Sequence, residues 1–215
     1  MTRKLTTLLL IIASLTLVLV QGCGRGEKTS VAKTSIDIKG SDTMVNLMSN
    51  MAETYMAAHP GINIAVTGGG SGTGIAALLN GTTDICAASR TVQQKEIDLA
   101  HTKNIEPVET IVGMDGLAVV VNPNGPVDSL TLDQLRQIYI GEITNWNILG
   151  GPDKEITLLS RESNSGTHVY FKEHVLNKSD FAQRALLMPS TATIVQEVIN
   201  NTYAIGYGGV AYAMN

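Results

Sequence analysis

The first half of the chain alternates between two periods of hydrophobic residues. Apolar side chains occupy every second position at 62–66, which predicts a strand, and recur at three- and four-residue spacing from Met44 to Tyr55, which predicts a helix with this side in the core. The whole pattern predicts strands at about 36–39, 62–66, 84–89 and 107–112 and helices at about 43–58, 75–79 and 93–102. Alternating strands and helices predict a parallel sheet flanked by helices, which we assign to a first lobe at residues 35–115.

A continuous apolar run at 116–121 is typical of a strand buried on both faces. Turn residues follow it at 122–126, and we interpret the run as a hinge strand that leads into a second lobe at 116–215. Beyond it the pattern predicts helices at about 132–139, 167–174, 179–186 and 191–200 and strands at about 156–160 and 203–207. The predicted fold class is therefore α/β with two lobes, each a mostly parallel sheet flanked by helices.

The N-terminus has the layout of an export signal. A positively charged start is followed by an uncharged apolar run to Val20, and Cys23 comes soon after. We interpret residues 1–22 as a lipoprotein signal peptide and Cys23 as the acylated first residue of the mature protein. Gln21 departs from the small residue usual at that position, so an uncleaved membrane anchor and ordinary signal cleavage stay open as alternatives. The small polar residues that follow predict a flexible tether over 23–34.

The composition excludes several classes of protein. Hydrophobic residues make up 44% and charged residues 16% of the 215 residues, which is typical of a globular chain. A formal net charge of -4 does not favour nucleic acid, which would require a basic face. The four histidines show no metal-ligand spacing, and neither a P-loop nor a nucleophile-elbow motif is present. We expect a binding protein without metal, cofactor or catalytic residue, and we interpret Cys86 as a buried small hydrophobic side chain.

Three segments share one plan, in which a strand leads through a short loop rich in Ser, Thr and Gly into a helix. They lie at 40–43, 68–74 and 165–167. A helix start carries unpaired backbone N–H groups and a partial positive charge, and hydroxyls there can donate to a ligand. Any one loop could be plain helix capping. Three such loops at the carboxyl ends of strands favour a site for an oxyanion.

Several segments together resemble the phosphate-binding proteins of high-affinity phosphate ABC importers. The resemblance covers residues 35–215, and the segments occur in that family's order. They are GSDTM at 40–44, GGGSGTGIAALLNGTTDI at 68–85, ASR at 88–90, LAVVVNP at 117–123, IYIGEITNW at 138–146 and RESNSGT at 161–167. The resemblance implies a two-lobed periplasmic-binding-protein fold of type II, with inorganic phosphate bound in the cleft between the lobes.

Matching the motifs residue by residue implies a set of phosphate contacts. In the first lobe they are Thr43, the backbone of Met44 and Ser71, with Ser41 as an extra donor. Asp84 matches the family's cleft carboxylate. The contacts of the second lobe are Arg161, Ser165, Gly166 and Thr167.

The chemistry of two of these residues suits phosphate. A carboxylate at Asp84 would accept a hydrogen bond from protonated phosphate, whereas unprotonated sulfate would meet it as an unpaired negative charge. Arg161 supplies a planar fork of donors and the strong positive charge. Arg90 lies beside the cleft in sequence, and its alternative role is a surface or structural salt bridge.

The same resemblance implies partners and a location. We expect an exported, lipid-anchored monomer that delivers phosphate to the membrane subunits of an importer. Chains of the family usually continue well past the segment AIGYGGVAY at 204–212, so we expect the C-terminal return to the first lobe to be missing. The alternatives are a sensor or scavenger of arsenate, a truncated non-functional paralogue, and an enzyme acting on phosphate esters.

Overall fold

The computed structural model describes residues 34–213, and its first elements alternate strand and helix. The strands are β1 (Thr34–Gly40), β2 (Ile62–Thr67) and β3 (Ile85–Ala87), and they form a parallel sheet in the order β2-β1-β3. The helices are α1 (Val45–Ala58), α2 (Ser71–Leu79) and α3 (Gln94–Thr102), and a 3₁₀ turn at Asp42–Met44 precedes α1. Parallel neighbours need such crossover helices. We call residues 34–102 the first lobe.

A second sheet follows in the order β4-β7-β5-β6. Its strands are β4 (Leu117–Val121), β5 (Thr157–Arg161), β6 (Leu186–Met188) and β7 (Ala204–Gly209). Strand β5 runs parallel to β6 and β7, whereas β4 runs antiparallel to β7. The helices are α4 (Leu132–Ile140), α5 (Gly166–His174), α6 (Thr191–Asn200) and α7 (Val210–Ala213), with a 3₁₀ helix at Trp146–Leu149. We call residues 117–213 the second lobe, and the predicted α/β class is confirmed.

An aromatic core lies behind β5 in the second lobe. Phe171 of α5 is fully buried, and its ring lies 4.0 Å from that of Tyr207 in β7 and 4.6 Å from that of Tyr139 in α4. Trp146 is also fully buried, and its indole N–H donates to the carbonyl of Tyr203 at 3.0 Å. Such aromatic contacts add to the stability gained from buried area. The tightly packed core of the second lobe therefore holds strand β5 in place.

The first lobe packs α1 through a face that differs from the predicted one. Leu47, Met51 and Tyr55 were expected in the core, but each is 44–46% exposed. The helix instead turns Ala52, which is buried, and Met56 toward β2, where the sulfur of Met56 accepts from the backbone N–H of Ile64. Because positions one residue apart on a helix differ by about 100°, a small error in the chosen face moves a whole stripe to solvent.

Two predicted elements do not form. The segment 107–112 was expected as a strand, but it has no strand assignment, and Val108 and Ile111 are 87% and 78% exposed. The segment 179–186 was expected as a helix, but it is irregular, with a turn at 183–184 before β6 begins, and Ala182 donates its N–H to the carbonyl of Tyr139. The hydrophobic pattern of a segment does not show whether a neighbouring strand is available to pair with it, or whether a tertiary contact will replace its helix. Helix α2 also begins earlier than predicted, at Ser71.

The two sheets lie on either side of the predicted boundary between residues 115 and 116, and residues from Thr34 onward form one compact unit. The predicted signal peptide, Cys23 and the tether up to residue 33 lie outside the described residues. Between residues 34 and 213, no helix is long and apolar enough to cross a membrane.

Replacing Phe171 with alanine is expected to lower the free energy of unfolding by about 3–5 kcal/mol, because it removes a fully buried ring and leaves a cavity beside Tyr207. Thermal or urea unfolding measures this change. Tyr170→Ala is the matched control, since the neighbouring ring is 45% exposed. Equal unfolding midpoints for the two variants would contradict this description of the core.

Candidate functional site

The Ser/Thr/Gly loops meet between the two sheets. Ser41 follows β1, Ser71 is the first residue of α2 after β2, and Ser89 follows β3. From the second lobe, Arg161 ends β5, and Ser165, Gly166 and Thr167 form the start of α5. These are the carboxyl ends of parallel strands, where open α/β sheets place their ligands. We call these residues, together with Asp42 and Thr43, the cleft cluster.

Three serine hydroxyls of the first lobe form the floor of the cleft cluster. Ser41 Oγ donates to Ser89 Oγ at 2.9 Å, and Ser71 Oγ lies 3.3 Å from Ser89 Oγ and accepts from the Ser89 N–H at 3.0 Å. Ser41 and Ser71 are buried. Gly166 of the second lobe lies directly against them, since a Cβ at that position would come within 2.5 Å of the hydroxyls of both Ser71 and Ser89. The start of α5 therefore faces a layer of hydroxyls.

Ser89 was missed as a site residue. It belongs to the segment ASR that carried part of the resemblance, but no role was assigned to it. Its place at the carboxyl end of the strand predicted at 84–89 is the signal that could have found it.

Arg161 is the buried cation of the cleft cluster, with 1% of its side chain exposed. Its Nη2 donates to Asp42 Oδ2 at 2.8 Å and to the carbonyl of Pro189 at 2.9 Å. Its Nη1 donates to Thr191 Oγ1 at 3.1 Å, and its Nε donates to the carbonyl of Met188 at 3.3 Å. Four of the five guanidinium N–H donors are thus engaged, and the group is held in one orientation.

The backbone of Arg161 is fixed from behind by two further side chains. Tyr207 Oη accepts from the Arg161 N–H at 3.3 Å, and burial raises the pKa of Tyr207 to about 12. His168 donates its Nδ1–H to the carbonyl of Arg161 at 2.9 Å, and burial holds the pKa of His168 below its ordinary value. A neutral imidazole adds no charge beside the guanidinium, so Arg161 stays the dominant cation at this point.

The carboxylate of the cleft cluster is Asp42. Its Oδ2 accepts from Arg161 across the lobes, and its Oδ1 accepts from the Gly69 N–H at 3.1 Å. Its backbone carbonyl accepts from the hydroxyl of Tyr212 at 3.0 Å. An ionised carboxylate has about four lone-pair positions, so two acceptor positions remain for a ligand. Asp42 therefore joins its own loop at 40–43 both to the segment 68–74, which we call the glycine loop, and to the second lobe.

The structure contradicts the placement of Asp84 in the cleft. Asp84 immediately precedes β3, is exposed, and accepts from the Asp37 N–H at 2.8 Å. Asp37 lies four residues before Ser41, about 13 Å away along an extended strand. The carboxylate thus stands at the amino end of the sheet, whereas the cleft cluster stands at the carboxyl end.

The remaining predicted residues divide into two groups. Thr43 and Thr167 meet across the lobes with their hydroxyl oxygens 3.0 Å apart, and Ser165 is buried at the N-cap of α5. The N–H of Met44, in contrast, donates to the Ser41 carbonyl at 3.1 Å within the 3₁₀ turn. The amide of Met44 is therefore occupied, and the hydroxyl of Thr43 is the group of this turn that faces the second lobe.

Arg90 forms a structural salt bridge, which is the alternative role that the sequence analysis gave it. Its guanidinium binds the carboxylate of Glu96 through both terminal nitrogens, at 2.8 and 2.7 Å. Burial acts to raise the pKa of Glu96, but hydrogen bonds from Arg90 and from the Gln93 N–H, together with the charge of Arg90, lower it overall. Among residues 34–213, no group of His, Cys, Asp and Glu is arranged to hold a metal ion.

Comparison with known proteins gives consistent matches. A family model described as the PBP superfamily domain matches residues 27–215. The phosphate-binding protein PstS of Pseudomonas aeruginosa is 33% identical over 199 residues, a stretch that covers 86% of this chain and 62% of that protein. This chain therefore spans about three fifths of the length of that relative.

Solved structures match as well. A candidate phosphate ABC transporter substrate-binding protein of Clostridium perfringens, solved with bound phosphate, has a TM-score of 0.75 and 33% identity, over 83% of this chain and 72% of that one. An ABC-type phosphate transport receptor of Vibrio cholerae has a TM-score of 0.62 and 34% identity, over 82% of this chain and 72% of that one.

Proposed function

Because this chain belongs to the PBP superfamily, we propose that it captures inorganic phosphate between its two lobes and delivers it to a phosphate ABC importer. The names of its relatives support the ligand class, since they include phosphate-binding proteins and a structure with bound phosphate. The proposal extends to the importer's membrane subunits as partners and to a monomeric state.

The observation that carries the proposal is the cleft cluster itself. Three contacts join the lobes here: Arg161 donates to Asp42, the hydroxyls of Thr43 and Thr167 lie 3.0 Å apart, and Gly166 at the start of α5 lies against the serine hydroxyls of the first lobe. The first N–H groups of a helix have no partner within the helix, and its partial positive charge favours an anion. A tetrahedral oxyanion needs several donors on different sides, and this cluster offers them from two lobes.

Asp42 takes the role that the sequence assigned to Asp84. Phosphate near neutral pH keeps at least one proton, and that proton can be donated to a free lone pair of the Asp42 carboxylate. Sulfate would place an unprotonated oxygen against the same carboxylate and leave both groups unpaired. Arsenate has the same charge and protonation pattern as phosphate, so this carboxylate does not distinguish the two.

Isothermal titration of the purified chain with phosphate, arsenate and sulfate tests the proposal. We expect heat from phosphate and arsenate and none from sulfate at the same concentration. A phosphatase assay with p-nitrophenyl phosphate covers the enzymatic alternative, and we expect no hydrolysis. Absence of phosphate binding together with ester hydrolysis would overturn the proposal.

We also propose that the protein is exported and anchored by a lipid on Cys23. The support is the sequence alone, where Cys23 comes three residues after the end of the uncharged apolar run at Val20. Replacing Cys23 with serine is expected to release the protein from membrane fractions, as measured by fractionation and immunoblotting. Replacing Cys86, which lies half-buried beside Gly74, is the matched control and should leave the distribution unchanged. Full membrane retention of the Cys23 variant would indicate an uncleaved anchor instead.

A further inference from the structure

Asn164 joins the lobes at a point beside the cleft cluster rather than within it. It lies in the turn between Arg161 and α5, and it forms three hydrogen bonds with the glycine loop of the first lobe. Its backbone carbonyl accepts from the Gly72 N–H at 2.9 Å. Its side-chain amide donates to the Gly69 carbonyl and to Thr73 Oγ1, both at 3.0 Å.

The orientation of this amide is decided by its partners. The Gly69 carbonyl can only accept a hydrogen bond, so the nitrogen of the Asn164 side chain must face it. Thr73 Oγ1 then accepts the second N–H of the same nitrogen. An aspartate at this position would set an acceptor against an acceptor, and a shorter side chain would reach neither group.

Gly70 is what lets the two loops come this close. Its φ of +91° lies in the region that glycine adopts without strain, and a Cβ there would come within 2.9 Å of the Asn164 carbonyl oxygen. Much of the glycine loop is therefore used for contact between the lobes. The N–H groups of Gly69 and Gly72 are already engaged by Asp42 and Asn164.

We propose that Asn164 determines the affinity of the cleft without belonging to the ligand shell, by stabilising the closed arrangement of the lobes both before and after an anion has entered. The inference rests on the proposed capture function. The lobes are joined along the chain by residues 103–116, which have no helix or strand assignment. Hydrogen bonds across the cleft therefore carry much of the contact between the lobes. When only the closed form retains the ligand, the apparent affinity scales with the population of that form.

The expected consequence is a change in the dissociation rate. Asn164→Ala keeps the backbone contact with Gly72 and removes the two side-chain hydrogen bonds. Two such bonds predict about a 10-fold faster release of phosphate, while the association rate should change less than about 2-fold, because the open form is unaltered. Stopped-flow displacement measures both rates. Ser163→Ala is the matched control, since Ser163 is an exposed neighbour in the same turn.

A double-mutant cycle separates this role from a general loss of stability. In a Thr73→Ala background one of the two side-chain bonds is already missing, so Asn164→Ala should accelerate release by a clearly smaller factor than in the wild type. An equal factor in both backgrounds, or unchanged release in Asn164→Ala, would overturn the proposal.

A measurement without ligand distinguishes failure of this inference from failure of the proposed function. Hydrogen–deuterium exchange of the peptide containing Gly72 should be faster in Asn164→Ala than in the wild type or in Ser163→Ala, in buffer without phosphate. If the wild type binds no phosphate but the exchange difference is present, the capture function is wrong and the contact between the lobes stands. If the exchange is identical in all three proteins, the contact does not hold the lobes, whatever the ligand.

Discussion

Replacing Arg161 with alanine is expected to weaken phosphate binding by about 30-fold to several thousand-fold. Truncating one partner of a buried charge pair costs about 2–5 kcal/mol, and each 1.4 kcal/mol is a factor of ten in affinity. Arg161 is the buried cation of the cleft cluster, and its loss also leaves the Asp42 carboxylate without its counter-charge. An incoming anion would then meet a negative group in place of a positive one. Isothermal titration measures the change in Kd.

Two further variants separate binding from folding. Arg161→Lys restores the charge but not the planar fork that contacts Asp42, Thr191 and the loop carbonyls, so we expect only partial recovery of affinity. Arg136→Ala removes an arginine whose partner is the exposed Asp133, and it should bind phosphate like the wild type. Unchanged binding in a folded Arg161→Ala protein would show that the anion site lies elsewhere.

The fold could be predicted to the extent that each element is determined by its own sequence. Strands β1 and β2 and helix α5 lie where their hydrophobic periods and turn residues indicate. The segment 107–112 has the apolar residues of a strand, yet a strand also requires a neighbour, and none pairs with it among the described residues. The segment 179–186 does not form the predicted helix, because its backbone makes tertiary hydrogen bonds instead, such as that from the Ala182 N–H to the Tyr139 carbonyl. The period of the hydrophobic residues indicates which element a segment can form, but it does not indicate what packs beside that segment.

The site was predicted where a motif and a strand end coincide. Ser41, Ser71 and Arg161 each follow or end a strand, and the rule that ligands lie at carboxyl strand ends brings them together. The same rule argues against Asp84, which precedes its strand, and in favour of Asp42, which follows one. Motif matching placed the carboxylate at Asp84 because it did not ask at which end of the strand the residue would stand.

Replacing Asp42 with asparagine is expected to reduce the preference for phosphate over sulfate. This prediction distinguishes Asp42 from Asp84 as the carboxylate that selects between the two anions. The substitution removes one negative charge beside Arg161, so the cleft becomes more favourable to a dianion that carries no proton. It also leaves fewer acceptor positions for the protonated oxygen of phosphate, since the amide has one oxygen with two lone pairs where the carboxylate has two such oxygens, and the new amide N–H group faces either the Gly69 N–H or Arg161.

Affinity for phosphate should therefore fall while affinity for sulfate rises. Sites that leave a buried polar group unpaired against the wrong ligand discriminate by ratios of about 10⁴–10⁵, which sets the upper limit of what Asp42→Asn can lose; a loss of at least about 10-fold is expected. Competition between the two anions, measured by isothermal titration at constant ionic strength, gives the ratio directly. Asp84→Asn is the matched control, because its carboxylate caps the Asp37 N–H at the far end of the sheet and should leave the ratio unchanged. A ratio that changes in Asp84→Asn and stays constant in Asp42→Asn would return the discriminating role to the residue that the sequence first indicated.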